Sequence, residues 1–123
     1  MKYLCLCYYD TTAFAALDPV ELEAIGPACR PYDAALKATG KMMIQGSLSM
    51  PETWTTIVPE EGQPVVKAGP YLEGSQQAGA FFFVEAASND EAIVAASKHA
   101  AANVGEKLGF AVEVRACDMF ETF

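Results

Sequence analysis

The seven residues from Ala80 to Ala86, Ala-Phe-Phe-Phe-Val-Glu-Ala, constrain the fold of this chain more than any others. An extended strand sends successive side chains to opposite faces. Here both faces are dominated by apolar groups, so the run predicts a strand buried on both sides. The opening residues repeat the pattern. Tyr3, Cys5, Cys7 and Tyr9 share one face, and Leu4, Leu6 and Tyr8 the other. Two such strands belong at the centre of a sheet, and if helices cover only one face the other needs a partner.

The rest of the chain supplies the remaining layers. Leu17-Asp18-Pro19-Val20-Glu21-Leu22 is a strong helix start. Asp18 is the cap, Pro19 suits the first helical position, and Glu21 completes a capping box. Leu22, Ile25, Cys29, Tyr32 and Leu36 follow at helical spacing. Gly26-Pro27 and Pro31 fall inside that stripe, and each proline removes a backbone donor. The expectation is a helix kinked between Gly26 and Pro31, or two helices, ending near Thr39-Gly40. Met42–Leu48 and Trp54–Val58 read as strands, with Val65-Val66 as a short edge strand. Ser88-Asn89-Asp90-Glu91 predicts a second capped helix through about Asn103, and Phe110–Ala116 alternates as a last strand. Two β-α-β halves joined by a hairpin predict a single domain over 1–123, an α+β ferredoxin-like sandwich.

Composition narrows function mainly by exclusion. Sixteen acidic against eight basic residues give a net charge of −8, which disfavours nucleic acid. No apolar run reaches the ~20 residues that a membrane-spanning helix needs. Met1-Lys2-Tyr3-Leu4 reads as a first strand rather than a leader, so the expected location is cytoplasmic. Cys5, Cys7, Cys29 and Cys117 show no CxxC spacing and are expected to be free thiols. There is no metal pattern, P-loop or dinucleotide fingerprint, so no cofactor is expected.

Before the Phe-rich strand lies Gly69-Pro70-Tyr71-Leu72-Glu73-Gly74-Ser75-Gln76-Gln77. This stretch resembles the signature of the YCII-related proteins, in particular the branch whose loop reads Asp-Gly-Pro-Phe-Ala-Glu-Thr-Lys-Glu-Gln. Lys2-Tyr3-Leu4, Tyr8, His99 and Glu113-Val114-Arg115 are similar in place to further parts of that family's pattern. The resemblance implies a homodimeric α+β barrel with two sheets face to face. It also implies a cleft near the motif loop and an accessory role beside sigma-factor-like regulators. Ala68, Ser75 and Gln76 depart from the family's Asp, Lys and Glu. Ala100 and Ala116 replace prolines.

The candidate site residues follow from both readings. His99, the single histidine, is either a helix-end residue favoured by the dipole or a general acid or base. Asp10 ends the first strand, as a second acid–base candidate or as a turn residue. Glu73 and Arg115 are expected to line one pocket with His99 or Asp10 at its edge and Tyr8 and Tyr71 as further ligand-binding residues, Arg115 anchoring a small polar or anionic ligand. Glu113 and Arg115, on one strand face, can equally form an ordinary ion pair. Two functions compete: a small-molecule binder with simple acid–base chemistry, and a non-catalytic interaction module. A cofactor-independent monooxygenase rests on fold analogy alone.

Overall fold

The computed structural model describes residues 1–123. It contains strands β1 (Lys2–Asp10), β2 (Met42–Ser47), β3 (Thr55–Glu60), β4 (Gln63–Ala68), β5 (Gln76–Glu85) and β6 (Ala111–Ala116). The helices are α1 (Thr11–Ala15), α2 (Pro19–Ala38) and α3 (Asn89–Ala96). Four strands form one sheet in the order β2-β5-β1-β6, and β3 and β4 pair as a separate hairpin. Every pair in the main sheet is antiparallel. The two doubly apolar runs, β1 and β5, are its centre, and the arrangement is the ferredoxin-like α+β fold.

Alternation in the central strands separates the two faces. Tyr3, Cys5, Cys7, Tyr9, Phe82 and Val84 are buried under the helices. Ala92, Ala95 and Ala96 of α3 meet them, joined by Leu36 from α2. Alanines let α3 lie close to the sheet. On the opposite face Leu4, Leu6, Tyr8, Phe81 and Phe83 are only half-buried. The tail partly covers that face, with the Phe120 ring 5.6 Å from the Phe83 ring.

Of the two forms expected for α2, one kinked helix or two helices, the structure has a single helix with Pro27 and Pro31 inside it. The missing donors leave only the carbonyls of Glu23 and Pro27 without their usual partners. Both residues are exposed, so water can satisfy those oxygens. Its start is as predicted: Glu21 N donates to Asp18 Oδ1 at 2.8 Å and Asp18 N to Glu21 Oε1 at 3.1 Å. α3 stops at Ala96 rather than near Asn103, since the backbone at His99 is extended (φ −67°, ψ 147°) and side chains brace the turn that follows. Ser97 Oγ donates to Ile93 O at 2.6 Å, and Asn103 Nδ2 donates to the carbonyls of Ser97 and His99, both at 2.8 Å. His99 therefore lies outside the helix, at the head of a short 3-10 turn, Ala100–Ala102.

Candidate functional site

Between α2 and the sheet is a cavity of about 360 Å³, walled by Cys7, Tyr9 and Ala80 from the sheet, Phe14 from α1, and Ile25 and Cys29 from α2. His99, Ala100, Ala101 and Phe110 close another side, and Leu48 and Met50, both partly exposed, form the rim. The floor is built on an irregularity. Cys7 pairs with Ala80 but Tyr8 pairs with Ala78, leaving Gly79 as an extra residue in β5. Such bulges re-aim neighbouring side chains. A Cβ at Gly79 would stand 2.9 Å from the Tyr9 ring, so only glycine lets that ring lie across the strand.

No lining side chain is a carboxylate, lysine or arginine. The groups that could ionise are held neutral. Burial pushes the Cys7 thiol up to about 12, helped by neighbouring Cys5. Burial, with Asp33 nearby, also raises Cys29. The Tyr9 phenol is raised by burial and by the negative charge of Glu52. These thiols are poor nucleophiles, because reaction needs the thiolate.

His99 is the cavity's most structured polar group. Its ring stacks on Phe82, with centroids 4.7 Å apart and planes 6° from parallel. The backbone N–H of Ala101 donates to Nδ1 at 3.0 Å. That bond reserves the Nδ1 lone pair, so in the neutral ring the proton sits on Nε2. Burial lowers the ring's pKa, with Asp33 acting weakly the other way. The Cys7 sulfur lies nearly level between the two ring nitrogens, 3.9 Å from Nδ1 and 4.0 Å from Nε2, so for Nε2–H it is only a distant, weak contact. Tyr9 is similar, since its hydroxyl donates to the Met50 sulfur at 3.7 Å. Two donors at the cavity thus hold weak partners that a ligand oxygen can replace.

The other candidates lie elsewhere. Asp10 caps α1, its Oδ1 accepting from Thr12 N at 2.9 Å and Ala13 N at 3.1 Å. Tyr8 borders the cavity, yet its hydroxyl is on the open face and donates to Glu113 Oε1 at 3.2 Å. The same oxygen accepts from Arg115 Nε at 2.6 Å, and both charged groups are exposed. This pairing raises the Arg115 pKa. Tyr71 is 73% exposed and Glu73 is exposed as well. Neither Glu73 nor Arg115 lines this cavity or the smaller one beside it, which is bounded by Ile25 and Phe110.

The motif loop is nevertheless held firmly. Gln77 is buried, and its Nε2 donates to Leu72 O at 2.9 Å and to Gly74 O at 3.1 Å. Thr11 N donates to Ser75 O at 2.7 Å, and Gly69 N to Trp54 O at 2.7 Å. The loop therefore ties β5 to α1 and to the hairpin. A sequence reading aimed at polar groups passes over Phe14, Ile25, Cys29, Met50 and Phe110 as site residues. Gly79 inside an apolar strand was the available signal, since a glycine there marks a bulge or a close approach.

Fold and site together define a small antiparallel α+β domain with an apolar cavity between one helix and the sheet. Residues 1–116 match the model of the YCII-related domain, and the chain belongs to that family. No curated protein matches the chain.

Proposed function

We propose that this protein binds a small molecule in the cavity under α2 and works as a homodimer packed through its open sheet faces. The cavity carries the reading. Its volume falls within the usual range for small-ligand sites, mostly apolar with few polar groups. His99 is the ring that orients the ligand there, acting through Nε2–H. With Nδ1 engaged, the neutral ring offers a proton but no lone pair, which favours hydrogen-bond donation over general-base work. The four free thiols favour a reducing, cytoplasmic compartment.

A thermal-shift screen of small neutral molecules on wild type and Cys29→Phe tests the site. A ligand present at about 100 times its Kd contributes about 2.7 kcal/mol. In a domain of this size that raises Tm by roughly 10 °C. The expected result is a shift in wild type that disappears when the phenyl ring fills the cavity. Equal shifts in both proteins would place binding elsewhere.

A second reading, a non-catalytic interaction module, rests on the hairpin. Ile57 and Val66 face each other across β3 and β4 and are 65% and 67% exposed. A two-stranded hairpin is marginal on its own, so this pair favours a macromolecular partner. Ile57→Lys with Val66→Lys separates the readings. It should leave ligand shifts intact if the first holds, and abolish capture of a macromolecular partner if the second does.

A further inference from the structure

Resting on the cavity reading above, we infer that the ligand is a compact, uncharged aromatic molecule bearing a hydrogen-bond acceptor, received by His99 Nε2–H and the Tyr9 hydroxyl. Three observations select this class. The first is the absence of charge. None of the fifteen lining residues carries a carboxylate, ammonium or guanidinium. An ionised ligand would be desolvated with no counter-charge, a cost of several kcal/mol. Asp33 and Glu52 act on Cys29 and Tyr9 from outside the lining, which further disfavours an anion. The polar side chains in the lining are neutral, His99, the tyrosine and Ser47 hydroxyls and the two thiols, so a cation would find no counter-charge either.

The second observation is size. A cavity of about 150 Å³ accommodates benzene, so about 360 Å³ suits a two-ring molecule. Ile25 and Phe110 set the limit. Both also line a second cavity of about 170 Å³, so their side chains form the wall between the two. The Phe110 ring packs directly over Gly105, where a Cβ would come within 2.2 Å of it, so only glycine there leaves room for the ring.

The third observation is the character of the walls. Tyr9 and Phe14 meet edge to face at 5.5 Å, and Phe110 adds another ring. Flat rings pack well against such surfaces. The Tyr9 hydroxyl holds only the Met50 sulfur at 3.7 Å, and the one sulfur near His99 Nε2, that of Cys7 at 4.0 Å, is no closer to it than to Nδ1. A carbonyl oxygen is a stronger acceptor than either thioether or thiol.

The test uses three probes that share one ring system: methyl naphthyl ketone, ethylnaphthalene and naphthoate, titrated calorimetrically at pH 7. The ketone should bind about tenfold tighter than ethylnaphthalene, the value of one or two net hydrogen bonds. Naphthoate should bind weakest. Tyr9→Phe and His99→Asn should each shrink the ketone's advantage several-fold while leaving ethylnaphthalene unchanged. Asparagine can still accept from Ala101 N, so His99→Asn keeps the turn while losing Nε2. Naphthoate binding as tightly as the ketone, or no binding by any probe, overturns the ligand class. Ketone binding that survives in Cys29→Phe overturns the cavity itself, a separate failure.

Discussion

His99 shows how a single residue can be misjudged from its position in a sequence. Placed in a helix, it would be a surface histidine held by the dipole. At the head of a 3-10 turn it is instead half-buried, stacked on Phe82 and bonded through Nδ1. The groups facing it are Cys7, held protonated by burial, and Asp33 of α2, whose charge weakly favours the imidazolium. Burial wins, so the folded ring has a pKa below its unfolded value of 6.5. The unfolded chain therefore takes up the proton first as pH falls, and stability is lost from about 6.5 downward until the folded ring also titrates. Protonation at Nδ1 would also set a donor against the Ala101 N–H. Urea midpoints measured from pH 7 to pH 5 should fall, and His99→Asn should fall less steeply over that window. Parallel curves for the two proteins would mean that the ring contributes nothing to the pH dependence.

At the scale of elements, α2 carries the clearest lesson. Its two interior prolines argue for a break, yet the helix runs unbroken from Pro19 to Ala38. Each proline removes one bond, whereas the complete capping box and the burial of Leu36 act on the helix as a whole. Pro31→Ala restores a donor to the Pro27 carbonyl and should stabilise the protein by about 1–3 kcal/mol in urea denaturation. A loss of stability instead would show that the proline's fixed backbone angle is what fits α2 over the cavity. The strands were more legible than the helices. Two-sided apolar runs identified β1 and β5 as central, because three successive phenylalanines, Phe81, Phe82 and Phe83, place large apolar groups on both faces of a strand. The end of α3 was hidden because the competing bonds come from Ser97 and Asn103, ordinary residues for a helix surface. The cavity was hidden for a related reason. An apolar side chain that lines a void has the same sequence pattern as one that fills a core. Asp10 and Arg115 drew attention by their charge, and the structure engages both locally, one in a cap and the other in an ion pair.

At the scale of the whole molecule, the unfinished surface is the open face of the sheet. Leu4, Leu6, Phe81 and Phe83 lie there across β1 and β5, and Ile44 on the edge strand β2 is 53% exposed. The tail covers only part of it. Phe120 rests on Phe83 and Lys2 sits 5.8 Å from the Phe120 ring centre, while Met119 and Phe123 remain exposed. An apolar sheet face of this kind is the signature of an interface. A two-fold packing of identical faces would bury it twice over with one self-complementary contact. Polar groups at its border also suit that arrangement, since Glu113 already satisfies Tyr8 and Arg115 and needs nothing further from a partner. Sedimentation equilibrium at micromolar concentration should therefore give twice the 13.2 kDa chain mass. Phe83→Glu should give the monomer, because two carboxylates would face each other in a desolvated contact. The substitution lies on the face away from α2, so the variant should keep its helical signal and its ligand shift. A wild-type protein that sediments at the mass of one chain would leave the open face without a dimer. Deleting Met119–Phe123 discriminates further. If the tail belongs to the interface, dissociation strengthens on its removal; if it merely shields Phe83, the dimer tightens.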